Sequence, residues 1–128
     1  MGTKQYQICV VEDNAPIRKL YSTLLKKHGF QTEDFPDGKQ AIDWLKNNNP
    51  DCVLVDILLP DMNGTEILQF VRKKENGDSI PVIAATGFAH SNDRQKFIDI
   101  GFDSYIPKPI NTATFASDIE DVIRKKNG

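Results

Sequence analysis

The sequence predicts a doubly wound α/β domain whose five-stranded parallel sheet is covered by helices on both faces. Two observations lead there: five short apolar or β-branched runs, and longer stretches between them in which apolar residues recur at helical spacing. A third is size, since 128 residues, 39% apolar and 27% charged, suit one globular unit. Residues 1–128 are therefore expected to form a single domain with its core over about residues 7–126.

The first run, Ile8 to Val11, leads into Glu12, Asp13 and Asn14. Asn14 is suited to cap a helix with Pro16 in its first turn. Ile17, Leu20, Tyr21, Leu24 and Leu25 then make one apolar stripe, which Gly29 ends. Thr32 to Phe35 is the most polar strand candidate and so suits a sheet edge, and Ala41, Ile42 and Leu45 mark the second helix. Cys52 to Val55 is the third strand, followed by a helix carrying Ile67, Leu68 and Val71. Val82 to Ala85 precedes a helix with Phe97 and Ile98. Ser104 to Ile106 precedes the last helix, with Phe115, Ile119, Val122 and Ile123, which Asn111 or Thr112 is placed to open.

Composition excludes several classes of function. The longest unbroken apolar runs cited above are four residues, against about 18 for a membrane span, and no basic stretch followed by an apolar one opens the chain as a secretory signal. The cytosol is the expected compartment. Cys9 and Cys52 both sit inside apolar runs and are expected to be buried reduced thiols. Sixteen basic and eighteen acidic side chains leave a formal charge of minus two. That balance gives no general attraction to nucleic acid or membrane. The basic groups Lys26–Lys27, Arg72–Lys74 and Arg124–Lys126 fall near expected helix C-termini, where cations oppose the helix dipole.

In sheets of this kind ligands bind at the carboxyl edge of the strands. Glu12 and Asp13 follow the first run, Asp56 the third, Thr86 the fourth and Lys108 the fifth. Singly, each also suits a solvated loop or a helix cap. Jointly, they bring three acids, a hydroxyl and a lysine to one place. Carboxylates so gathered must share a proton or bind a cation, and an all-oxygen set without histidine or thiolate suits Mg²⁺. A carboxylate beside such a metal is also a nucleophile toward an electrophilic phosphoryl group, giving an acyl phosphate. Lys108 would neutralise the transferred group and Thr86 would donate a hydrogen bond to it.

From about Gln7 to Lys126 the chain resembles the receiver domains of two-component response regulators. The resemblance rests on Val10-Val11-Glu12-Asp13-Asn14, Val55-Asp56-Ile57-Leu58-Leu59-Pro60-Asp61-Met62-Asn63-Gly64, Thr86-Gly87 and Tyr105-Ile106-Pro107-Lys108-Pro109. It implies strand order 2-1-3-4-5. Asp56 is then the phosphoacceptor, charged by a phosphohistidine on a sensor histidine kinase or a histidine phosphotransfer protein. Asp13, Asp56 and the backbone carbonyl of Leu58 are implied as direct Mg²⁺ ligands, with Glu12 acting mainly through water. Thr86 and Tyr105 are the implied switch pair. Lys108 matches the family lysine, and its bond to Pro109 is expected to be cis. Readout is implied at the face made by the fourth helix, fifth strand and fifth helix, in a monomer or a phosphorylation-dependent dimer.

Three positions depart from or vary within the family pattern. Gly87 stands where alanine is usual and should loosen its loop. Leu58 and Phe88, at positions that tune attack by water, are both apolar here, which implies slow hydrolysis of the acyl phosphate. Among other residues, His28 is read as a helix C-terminal cation, His90 as a lone loop histidine, and Trp44 and Phe70 as partial core cover. Asp61 is read as a turn former before Asn63-Gly64.

Rival functions fit less well. A dehalogenase-like hydrolase wants a second Asp where Leu58 stands, and a flavodoxin wants a Ser/Thr/Gly phosphate loop where Glu12-Asp13-Asn14-Ala15-Pro16 stands. A receiver-like protein-interaction module without phosphotransfer is the remaining alternative. No DNA-binding, kinase or cyclase segment follows residue 126, which is read as either a single-domain regulator or a receiver taken from a larger protein.

Overall fold

The computed structural model describes residues 5–87 and 91–127, without the side chains of 91–94. Strands β1 (Gln7–Val11), β2 (Gln31–Phe35), β3 (Cys52–Asp56), β4 (Val82–Thr86) and β5 (Ser104–Pro107) alternate with helices α1 (Ala15–Lys27), α2 (Gly38–Leu45), α3 (Gly64–Lys73), α4 (Ser91–Ile100) and α5 (Phe115–Asn127). All strand pairs are parallel and the order is β2-β1-β3-β4-β5, as the resemblance implied. The partly exposed β2 lies at one edge, where its polarity is tolerated.

β1 and β2 begin one residue before the expected runs, and β3, β4 and β5 end one residue after theirs. Asp56 pairs with Ala85 and Thr86 with Pro107, so these two polar residues close their strands instead of following them. The ladder continues as long as a neighbouring strand offers partners, whatever the side chain.

Alternation along the strands sends side chains to two cores. Cys9, Val11, Val53, Val55, Val82 and Ala84 pack with Ala41 and Leu45 of α2 and Ile67, Leu68 and Val71 of α3. Ile8, Val10, Cys52, Leu54, Ile83 and Ala85 pack with Tyr21 and Leu25 of α1 and Phe115, Ile119 and Ile123 of α5. Cys9 and Cys52 are thus buried free thiols on opposite faces, and burial pushes both thiols up, away from the reactive thiolate form.

Helix ends follow local chemistry. The Asn14 side chain accepts the Ile17 N–H at 3.0 Å, Asp37 accepts that of Gln40 at 2.8 Å, and Asn63 and Glu66 form a capping box at α3. Gly29 takes a positive φ of 91° just past α1, a conformation that favours glycine. Two expectations need correcting. Leu20 is 40% exposed because it lies at the margin of the α1 stripe, while Ser22 is buried and bonded to Thr32 at 3.1 Å. The last helix opens at Phe115, because Asn111 first caps a separate turn through Ala113, Thr114 and Phe115.

The basic groups do end α1, α3 and α5. Some do more. Arg72 donates to the carbonyls of Gly77, Ile80 and Gly101 and to Asp103, which also accepts from the Val82 N–H and from Lys126. Lys74 reaches the carbonyls of Leu45, the last residue of α2, and of Asn48 just beyond it. This network closes the amino edge of the sheet, opposite the acidic residues. Trp44 and Phe70 lie half-buried against the core, and Trp44 packs on Phe35 with ring centroids 5.7 Å apart. His28 caps α1 and pairs with Glu120 at 2.8 Å. His90 and Phe88 lie outside the described residues.

Candidate functional site

Parallel strands that end together bring their next residues together, and here those residues are acidic. Oxygen atoms of Glu12, Asp13 and Asp56 lie within 4.8 Å of one another. Glu12 is 1% and Asp56 9% exposed, whereas Asp13 faces solvent. Local bonds fix Glu12 firmly: its N–H donates to Phe35, its carbonyl accepts from Arg18 at 2.8 Å, and its carboxylate accepts from the Asn14 N–H at 3.2 Å.

Lys108 enters from the far side of the sheet. Its ammonium donates to Glu12 at 2.7 Å and to Asp56 at 3.1 Å, and its peptide bond to Pro109 is cis. The other Asp56 oxygen accepts the Leu58 N–H at 3.2 Å. Burial raises the Glu12 carboxyl above its ordinary value, against the lowering effect of the Lys108 bond. Burial alone would lower Lys108, but its hydrogen bonds to Glu12 and Asp56 outweigh that and hold the ammonium above the usual lysine value. One ammonium against three carboxylates leaves the cluster negative. An all-oxygen donor set of this charge and spacing fits a hard divalent cation.

Thr86 ends β4 beside Asp56 on β3; it is 1% exposed, and its carbonyl accepts the Lys108 N–H at 2.8 Å. Tyr105 on the neighbouring strand is half-buried, its ring stacked 6.3 Å from Phe97 of α4. Leu58 is 58% exposed beside Asp56. The site residues expected from sequence are therefore gathered at one edge, with Tyr105 one strand away.

Three contributors were missed by reading the sequence. Arg18 carried no motif that marked it, yet it holds the Glu12 carbonyl. Gly64 looked like turn chemistry; a Cβ there would meet the Asp56 carbonyl oxygen at 2.5 Å, so the glycine lets α3 start against the acceptor strand. Asp61 neither joins the acidic cluster nor serves its turn alone. Its carboxylate accepts the Gly38 and Lys39 N–H groups, both at 2.9 Å, and the Gly38 bond holds its pKa low. The Asn-Gly pair signalled a turn, but no local signal marked α2 as the target of Asp61.

Comparison with known proteins agrees with this geometry. The model of the response regulator receiver domain family matches residues 8–120. The polar-differentiation response regulator DivK of Brucella ovis is 34% identical over 116 residues, 91% of this chain and 94% of DivK. A hybrid signal transduction histidine kinase of Dictyostelium discoideum is 42% identical over 112 residues; the match takes in 82% of this chain and only 6% of that protein.

Among solved structures, the chemotaxis response regulator CheY4 of Vibrio cholerae has a TM-score of 0.86 at 24% identity, over 93% of this chain and 99% of that one, a likeness of fold. The receiver domain of a Pseudomonas aeruginosa sensor histidine kinase, which carries a magnesium ion coordinated in its active-site cleft, has a TM-score of 0.84 at 28% identity, over 94% and 99% of the two chains. On sequence and fold together, this chain belongs to the response regulator receiver domains of two-component systems.

Proposed function

We propose that Asp56 is the phosphoacceptor of a phosphorelay and that residues 7–126 act as one receiver unit. The observation that carries the reading is the lysine-bridged carboxylate cluster: Asp56 within hydrogen-bond reach of Lys108, beside Glu12 and Asp13, at the carboxyl edge of the sheet. The donor is the phosphohistidine of a sensor histidine kinase or a phosphotransfer protein. In the transfer, a carboxylate oxygen of Asp56 forms a P–O bond as the donor's P–N bond breaks. The bonding pair stays on the imidazole nitrogen, which then takes up a proton.

Each neighbour has a task in that step. Lys108 moves its charge onto the incoming phosphoryl oxygens, and the Thr86 hydroxyl donates to one of them. Glu12, Asp13, Asp56 and the Leu58 carbonyl would hold Mg²⁺, which when bound supplies neutralisation of phosphoryl charge. Thr86 and Tyr105 act as the switch: the hydroxyl moves toward the phosphoryl group and the ring turns in behind it. That changes the face formed by α4, β5 and α5, where the downstream protein is read.

Acetyl phosphate with Mg²⁺ tests the reading. Wild type should gain one acid-labile phosphoryl group on Asp56 by intact-mass and peptide mapping, and Asp56→Asn should gain none. Equal labelling of the two proteins, or none in wild type, overturns it in favour of an interaction module without phosphotransfer.

A further inference from the structure

Tyr21 is 1% exposed, and its hydroxyl has no hydrogen-bond partner among the described residues. A buried phenol oxygen in that position weakens the fold, and phenylalanine would fill the same space without the cost. Packing holds the ring: it stacks on Phe115 with centroids 4.9 Å apart. Side chains on a helix lean toward its N-terminus, and α1 begins at the carboxyl edge just after Asp13, so the phenol leans toward the acidic cluster. Tyr21 and Lys108 line the same cavity of about 140 Å³, together with Ile17, Pro109 and Ile110. Burial pushes the phenol up to about 12, and the next influences on it are the charges of Lys108, Glu12 and Asp56, in that order.

The ammonium of Lys108 carries three N–H donors. Two point at Glu12 and Asp56, and the third has no partner among the described residues. We infer that Tyr21 is a positioning residue for Lys108, its hydroxyl accepting the third N–H as the ammonium turns from the carboxylates onto a phosphoryl group at Asp56. An oxygen idle in the resting state thereby gains its partner in the reacting one, and the lysine is held over the acceptor. The inference rests on Asp56 being that acceptor.

Tyr21→Phe keeps the ring and removes only the oxygen. With acetyl phosphate and Mg²⁺, phosphorylation of Tyr21→Phe should slow by about tenfold to a hundredfold, the worth of one hydrogen bond to a charged group. Its melting temperature should stay level or rise, and the ¹⁵N resonance of the Lys108 ammonium in the phosphorylated protein should move. A fall in melting temperature and rate together, with that resonance in place, means the hydroxyl serves only the fold and overturns the inference. Wild type and Tyr21→Phe phosphorylated at equal rates overturn this inference alone, whereas wild type that takes up no phosphoryl group on Asp56 sinks the acceptor assignment and this inference with it.

Discussion

The Lys108 ammonium lies 2.7 Å from Glu12 Oε1, although 96 residues separate them in the chain. β1 and β5 are not neighbours in the sheet, so the lysine crosses the ends of β4 and β3 to make this bond, meeting Asp56 on the way. Lys108→Met leaves the buried Glu12 and Asp56 carboxylates without their cation. Unfolding free energy in metal-free buffer is expected to fall by about 1–3 kcal/mol, read from urea midpoints. The folded-state pKa of Lys108 stands above its ordinary 10.5, so wild type should hold its advantage over Lys108→Met below that pH and lose it as pH rises through the folded value. An unchanged midpoint at neutral pH would show that the carboxylates do not depend on the lysine.

Asp56→Asn should act in the opposite sense on stability. Removing one of three crowded carboxylates relieves repulsion, and the metal-free variant is expected to melt higher than wild type. Mg²⁺ should then raise the melting temperature of wild type far more than that of Asp56→Asn. At a concentration about a hundred times its dissociation constant, a ligand bound only to the folded state adds about 2.7 kcal/mol. Equal Mg²⁺ shifts in the two proteins would place the ion elsewhere.

The acidic edge was legible because its signal is local: an apolar run followed at once by an acid needs no knowledge of the partner. Leu20 was misplaced because helical spacing gives the direction of a stripe and not its width. Arg72 was legible only as a helix-end cation. Three of its four partners are backbone carbonyls, of Gly77, Ile80 and Gly101, and a carbonyl carries no residue identity to read. Asp61 fails for a related reason, since it binds N–H groups 22 and 23 residues away. The strand ends were short by one residue because a polar side chain does not stop a ladder whose neighbour still offers partners.

Gly64→Ala tests the close approach of α3 to the acceptor strand. The added methyl would meet backbone, the Asp56 carbonyl oxygen at 2.5 Å and Ile57 Cα at 3.1 Å, so neither side can yield by rotating a side chain. A loss of about 1–3 kcal/mol is expected, as for other overpacked sites. Because the displaced atom belongs to Asp56, phosphorylation should slow as well. Gly87→Ala, where a Cβ meets nothing within 4 Å, is the matched control and should cost little stability.

Arg72→Lys keeps the charge and loses the fork. One guanidinium serves four acceptors in two segments of the chain, 77–80 and 101–103, and its bond to Asp103 is 2.8 Å long. An ammonium is a single point with a different reach and cannot reproduce that pattern. Stability should fall by about 2 kcal/mol, within the range for loss of a hydrogen bond to a charged group, with phosphorylation of Asp56 little changed because the network closes the opposite edge. Urea unfolding and acetyl phosphate labelling of the same preparation would separate the two effects. A matching loss of labelling in the folded variant would contradict that separation.

Glu120 offers the cleanest pH test. Its hydrogen bond from His28, then those from Arg124, hold the Glu120 carboxyl below its ordinary 4.5. A depressed carboxyl contributes stability above the unfolded-state value and loses it as pH falls through the folded-state value. Both groups are partly exposed, with side-chain exposures of 35% for His28 and 21% for Glu120, so solvent screening keeps the contribution within about 1 kcal/mol. Wild type should therefore exceed Glu120→Gln by that small margin at pH 6, and the two urea midpoints should converge below pH 4.5. A gap that widened with acid would mean the carboxylate is stabilised in the unfolded chain instead, and the α1–α5 contact would lose its electrostatic explanation.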